Sequence, residues 1–139
     1  MLAAYKPSLM KLLLSFLLLF MLVHPIWAQQ EGPEKLVQRQ LEAYNAQNLS
    51  AFVATYSDSI EIYRFPNRLS MKGKASLEKV YGELFRKYPQ NYAALLGRLV
   101  QGTTVIDQEK VTGRGDGESR VTAIYEVQNG LIRRVWFVY

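Results

Sequence analysis

The sequence predicts an α+β fold, with helices gathered against one face of a mostly antiparallel sheet. Three observations predict it. Between residues 33 and 88 apolar residues recur at helical spacing. From Tyr92 to Tyr139 four successive runs are rich in β-branched and aromatic residues. The junctions carry turn signals, of which Asn129-Gly130 is the strongest short hairpin signal.

Gly32-Pro33-Glu34 opens a first helix, because proline suits the first helical turn. Val37, Leu41 and Tyr44 then fall at i, i+4 and i+7 on one apolar face, through about Ala46. Asn48 is placed to cap a second short helix whose face is Leu49, Phe52, Val53 and Tyr56. Ser59 to Phe65 alternates as a strand and is closed by Pro66. Gly73 precedes a third helix with Leu77, Tyr81, Leu84 and Tyr88 on its face, and Pro89 stops it. The strands that follow are expected at 92–100, 103–111, 119–128 and 131–139. A flexible loop, Gly113-Arg114-Gly115-Asp116-Gly117, joins the middle two. The expected order is α-α-β-α-β-β-β-β.

The N-terminus has the three parts of an export signal. Lys6 and Lys11 are the positive region, Leu12 to Val23 is an unbroken apolar run, and Pro25 leads to a small residue at Ala28. The run is shorter than the roughly 20 residues that span a bilayer. Residues 1–28 are therefore expected to be a cleaved signal peptide and 29–139 a single domain, periplasmic or secreted, without membrane attachment after cleavage. The 111 residues of the second part suit one compact domain. They hold 15 Lys and Arg against 12 Asp and Glu, a net charge of +3, with no dense basic cluster beside stacking aromatics. That composition argues against nucleic-acid binding.

The chain has no cysteine, and its single histidine, His24, lies in the signal segment. Thiol, imidazole and most zinc chemistry are thereby excluded from residues 29–139, and neither a metal site nor a cofactor is expected. Chemistry falls to carboxylates, tyrosines and cations. Asp107 and Glu109 stand two apart on a strand and share a face. Such a pair can bind a cation or share a proton. Beside Lys110 it reads as a solvated edge. On the first strand Ile60, Ile62 and Arg64 share one side, and Glu61 the other. If the isoleucines face inward, Arg64 reaches a pocket mouth, where it can grip an anion. Arg114-Gly115-Asp116 spells the integrin-adhesion tripeptide and is read as ordinary turn chemistry. The last strand is apolar on both sides. That suits a sheet covered by a second subunit, with Trp136 or Ile132 in the interface.

In order and spacing the chain resembles the nuclear transport factor 2-like superfamily, in its SnoaL-like or steroid delta-isomerase-like group. The resemblance rests on Ala43-Tyr44-Asn45-Ala46-Gln47-Asn48-Leu49 with Phe52, Tyr56 and Asp58, then Glu61 to Pro66, Gly73-Lys74, Val105-Ile106-Asp107 and Glu109. Ala123 to Ile132 with Val135-Trp136-Phe137 completes it. It implies a cone-shaped roll, three helices packed on a strongly curved sheet with a pocket at the wide end, and a homodimer through the sheet face. The positions that are catalytic in the ketosteroid isomerase branch fall on Arg64, near Gln40, and near Ile124 or Tyr125, so none of the three is kept. Gln108 stands where relatives carry histidine. No catalytic residue is therefore assigned. The expected function is an exported binding domain for a small apolar or anionic ligand, lined by Tyr44, Tyr56, Ile62, Arg64, Tyr125 and Phe137. The alternatives are a lyase or isomerase using a carboxylate and a tyrosine in the cone, and a structural dimeric partner of an envelope protein. A carboxylate buried inside the cone would favour the enzyme.

Overall fold

A computed structural model describes residues 31–139, so residues 1–28, expected to be an export signal, lie outside the described residues. The chain begins with helix α1 (Pro33–Asn45) and the single-turn helix α2 (Leu49–Val53), followed by strand β1 (Tyr56–Arg64) and strand β2 (Arg68–Lys72). Helix α3 (Lys74–Lys87) follows, then β3 (Tyr92–Gln101), β4 (Thr104–Thr112), β5 (Ser119–Gln128) and β6 (Leu131–Val138). The six strands form one sheet in the order β2-β1-β6-β5-β4-β3. Only β1 and β6 run parallel. The architecture is the expected α+β one.

Local signals explain most boundaries. Pro33 is the first residue of α1, and the Asn48 side chain accepts a hydrogen bond from the Ala51 amide, satisfying an otherwise orphaned donor of α2. Asn129 and Gly130 both take positive φ, 53° and 73°, as a tight hairpin between β5 and β6 requires. Two expected side-chain roles shift. Tyr56 belongs to the start of β1 rather than to the face of α2, and Phe85 takes the buried place on α3 expected of Tyr88, which ends that helix.

Strand β2 was not expected. Arg68-Leu69-Ser70-Met71-Lys72 is mostly polar and mostly exposed because it is an edge strand, where charged residues discourage further pairing. It pairs with β1 through a bulge at Ser70, whose hydroxyl donates to the Ile62 carbonyl at 3.0 Å. A second bulge changes the reading of β6. Ile132 pairs with Val127 and Arg134 with Glu126, so Arg133 is the extra residue. Alternation breaks there, and Ile132 and Val135 both point inward with no exposed surface. Ile132 is core, which removes it from any interface. Trp136 keeps the outer face, stacked on Tyr63 at 5.7 Å.

The concave face of the sheet meets α1–α3 in one core. Phe52 lies at its centre, with Tyr56 5.0 Å and Tyr81 4.5 Å away between ring centroids and Tyr44 and Phe85 just beyond. Such aromatic pairs add about 0.5–1.5 kcal/mol each beyond their burial.

The β4–β5 loop leaves the sheet at Gly113, with φ +79°. A Cβ there would lie 1.9 Å from the Gln90 carbonyl oxygen, an overlap that only backbone movement relieves. Gly117 in the same loop has open space. Gly113→Ala is expected to cost at least about 1–3 kcal/mol in urea unfolding, and Gly117→Ala to stay within about 0.5 kcal/mol of the parent.

Candidate functional site

The register brings one end of several strands together. Parallel β1 and β6 both finish there, at Arg64 and Val138, and Tyr139 follows. The C-terminus of β4, the start of β5 and the 113–118 loop meet them. Between this rim and the helices lies a cavity of about 260 Å³. Its apolar wall is built mainly by Leu41, Ile62, Leu84, Val111, Val121 and Phe137, and its polar groups include Gln40, Tyr44, Arg64, Tyr81, Glu109, Arg114, Tyr125 and Tyr139.

Of the six residues expected to bind ligand, Tyr44, Ile62, Arg64, Tyr125 and Phe137 line this cavity. Tyr56 does not. It is buried at the junction of α2 and β1, and its hydroxyl accepts a hydrogen bond from Gln40 Nε2 at 2.9 Å. Arg64 is exposed at the mouth, its guanidinium 5.0 Å from the centre of the Tyr139 ring.

The acidic pair of β4 overturns its expected place. Val105, Asp107, Glu109 and Val111 all point to the concave side, and Asp107 and Glu109 are 0 % and 6 % exposed. They are not a solvated edge. The alternation that put them on one face was sound, but that face is the interior. Their neighbours then treat them differently. Across the strand pair from Asp107 stands Arg98, which grips both carboxylate oxygens at 2.7 Å and donates a third bond to Gln38 Oε1 at 2.9 Å. With both oxygens held, Asp107 is not placed to share a cation with Glu109. Glu109 lies between Leu95 on β3 and Val121 on β5, neither of which can answer a charge. Its one side-chain hydrogen bond among the described residues is accepted from the Tyr125 hydroxyl, 3.5 Å away, at the long end of hydrogen bonding.

These surroundings make Glu109 a weaker acid than an ordinary carboxyl. Burial pushes its carboxyl up to about 7, the Asp107 charge adds to the rise, and Tyr125, Arg98 and Arg114 oppose it. The carboxyl therefore exchanges a proton near neutral pH. Burial also pushes the phenols of Tyr125 and Tyr81 up, so both remain donors. Glu61, the other candidate base, behaves in the opposite way. It is on the outer face with Lys72 at 3.0 Å and Arg134 at 3.4 Å, and its hydrogen bond with Lys72 leads the effects that pull its carboxyl down to about 2.

Arg114 joins the site from the loop. Its Nε donates to Asn91 Oδ1 at 2.6 Å and its Nη2 to the Tyr44 hydroxyl, which itself donates to Asn91 Oδ1 at 3.1 Å. Its place in the tripeptide gave no sign of this. The signal was local, a strand ending in glycine beside a helix that carries Tyr44. Gln40 is 5 % exposed and leaves its Oε1 without a hydrogen-bond partner.

Because the folded pKa of Glu109 lies above its unfolded value, the fold binds this proton more tightly than the unfolded chain does. The associated stability is complete below about pH 4.5 and is lost as pH rises through about 7. Glu109→Gln is expected to remove that dependence. Relative to the parent it should gain on the order of 3 kcal/mol at pH 8.5, and much less at pH 4.5, in urea unfolding at the two pH values.

Comparison with known proteins bears on the fold and the family. A search of curated proteins finds no match. Among solved structures, an uncharacterized cystatin-fold protein from Novosphingobium aromaticivorans superposes with a TM-score of 0.74 at 23% identity, covering 78% of this chain and 99% of its own. A protein from Kribbella flavida, provisionally named a ketosteroid isomerase, gives 0.67 at 18% identity over 76% of each chain. An NTF2-like protein of unknown function from Cytophaga hutchinsonii gives 0.66 at 13% identity, covering 78% of this chain and 90% of that one. At these identities the likeness is one of fold. The sequence signature of the SnoaL-like domain matches residues 37–135, and the chain belongs to the SnoaL-like family, with the NTF2-like fold.

Proposed function

We propose that the cone binds a small organic molecule and that Glu109 moves a proton to and from its carbon, as a lyase or isomerase does. One observation carries this reading. A carboxylate that titrates near neutrality lines the cavity and makes no salt bridge among the described residues. A general base works best with a pKa near the working pH, where enough of it is ionised and its proton affinity is still useful. In the step proposed, a C–H bond next to a carbonyl breaks and its proton passes to Glu109. The electron pair moves into the carbonyl, whose oxygen meets the Tyr125 phenol. Return of the proton to another carbon gives an isomer, and loss of a leaving group gives an elimination product.

The cavity size limits the ligand. About 150 Å³ accommodates a benzene ring, so 260 Å³ holds a ring with a short chain. Purely passive binding is the second reading. The replacement of the ketosteroid-isomerase positions by Arg64, Gln40 and Ile124 or Tyr125 favours it. Export, directed by residues 1–28, and a homodimer through the outer sheet face around Trp136 complete the proposal.

Deuterium exchange of acetophenone and other small ketones in D₂O, followed by proton NMR, separates the two readings. The proton-transfer reading expects catalysed exchange whose kcat/KM rises with pH through about 7 as Glu109 ionises, and about 10²–10⁴-fold less exchange in Glu109→Gln. Passive binding expects no catalysed exchange, and catalysed exchange that Glu109→Gln leaves unchanged would overturn the role of Glu109.

A further inference from the structure

Two guanidinium groups stand at the open end of the cavity, and neither is salt-bridged to a carboxylate among the described residues. The described ion pairs use Arg39, Lys72, Lys74, Arg98, Lys110, Arg133 and Arg134. Arg64 comes from the end of β1 and rests on the Tyr139 ring. Arg114 comes from the β4–β5 loop and has only neutral partners, Asn91 and Tyr44. The carboxylate in the same cavity is Glu109, set among apolar neighbours on β4, while the next carboxylate along, Asp107, is already gripped by Arg98. The charge around the empty space is thus arranged in order, with cations at the rim, apolar wall between, and a lone carboxylate on the strand.

This order selects a ligand. A neutral ligand would leave both guanidinium groups without a charged partner. A cation would meet them on entry. A dianion with two distant charges would bring one of them to Glu109. A single negative group fits, because a guanidinium fork matches a carboxylate in geometry and two forks can share one.

We infer that the cone takes a small organic monoanion, a carboxylic acid with an apolar body, held at the mouth by Arg64 and Arg114 with its enolisable carbon presented to Glu109. The last clause rests on the proton-transfer reading above; the anion site does not. The Arg114 grip has a built-in frame. Its bond to Asn91 and its bond to Tyr44 fix the guanidinium plane before any ligand arrives, which lowers the ordering cost of binding. The Tyr139 ring gives Arg64 a flat support in the same way.

Isothermal titration of the purified protein with benzoate, hexanoate and 3-benzoylpropanoate, each beside its primary amide, tests this. The amides keep shape and remove charge. At least one carboxylate is expected to bind about tenfold or more tightly than its amide. Arg64→Gln and Arg114→Gln should each weaken that carboxylate by about tenfold and leave the amide unchanged, and the double variant should erase the preference. Because Arg114 also ties the loop to Tyr44, Arg114→Lys is the control that keeps the charge. It should retain a preference for the carboxylate but bind it more weakly than arginine does. Glu109→Gln should bind the carboxylate as well as the parent or better. Equal binding of acids and amides, tighter binding of the amides, or no binding of any carboxylate at millimolar concentration overturns the inference. Ketone exchange without a carboxylate preference defeats this inference and leaves the proton-transfer reading standing. Carboxylate preference without exchange does the reverse.

Discussion

The buried pair of Arg98 and Asp107 is the interaction on which the site depends. A bidentate contact at 2.7 Å on both arms closes the carboxylate of Asp107, and Gln38 on α1 takes a further donor of Arg98. Breaking such a pair from one side leaves an uncompensated charge in the core and costs about 3–5 kcal/mol. Because the charge of Asp107 is answered by its own cross-strand neighbour, it stays with that strand pair. Glu109, two residues on, is left next to the cavity with a negative group behind it and apolar residues on both sides. Its near-neutral titration follows from that arrangement, with burial as the larger cause and Asp107 as the second.

The fold supplies this arrangement through alternation and register. Strand β4 points Val105, Asp107, Glu109 and Val111 inward, so one strand carries structural pairing, proton chemistry and apolar wall at successive inward positions. The helices provide the opposite wall through Gln40, Leu41, Tyr44, Tyr81 and Leu84. The rim comes from strand ends and a loop, where charged groups can remain hydrated. A rigid sheet positions the carboxylate, while Arg64 and Arg114 stand where the chain turns. This division suits a site in which one group must be placed closely and others must meet an arriving ligand.

Much of this was legible in the sequence. Helical spacing gave the face Val37, Leu41 and Tyr44, Asn48 gave the cap of α2, and Asn129-Gly130 gave the β5–β6 hairpin. Strand parity correctly set Ile62 and Arg64 toward the cavity and Glu61 away from it. Other features were hidden for identifiable reasons. Strand β2 is an exposed edge, so its apolar alternation is weak. The bulge at Arg133 inserts one residue and turns Ile132 into the core, which no alternation rule foresees. Asp107 and Glu109 looked like a solvated edge because charge usually means surface. The partner that permits Asp107 to be buried, Arg98, lies on another strand and becomes visible only once β3 and β4 are in register. Arg114 was concealed by a tripeptide that suggested turn chemistry alone, although Gly113 and Asn91 bring it onto Tyr44.

Proton transfer in the cone requires that the Glu109 carboxyl exchange its proton near neutral pH. Carbon-13 NMR titration of the Glu109 side-chain carboxyl, assigned by comparison with Glu109→Gln, measures this directly. The expected midpoint is about 7. A midpoint at or below the ordinary carboxylate value of about 4.3 would contradict it, because Glu109 would then be a fixed charge and not a proton carrier.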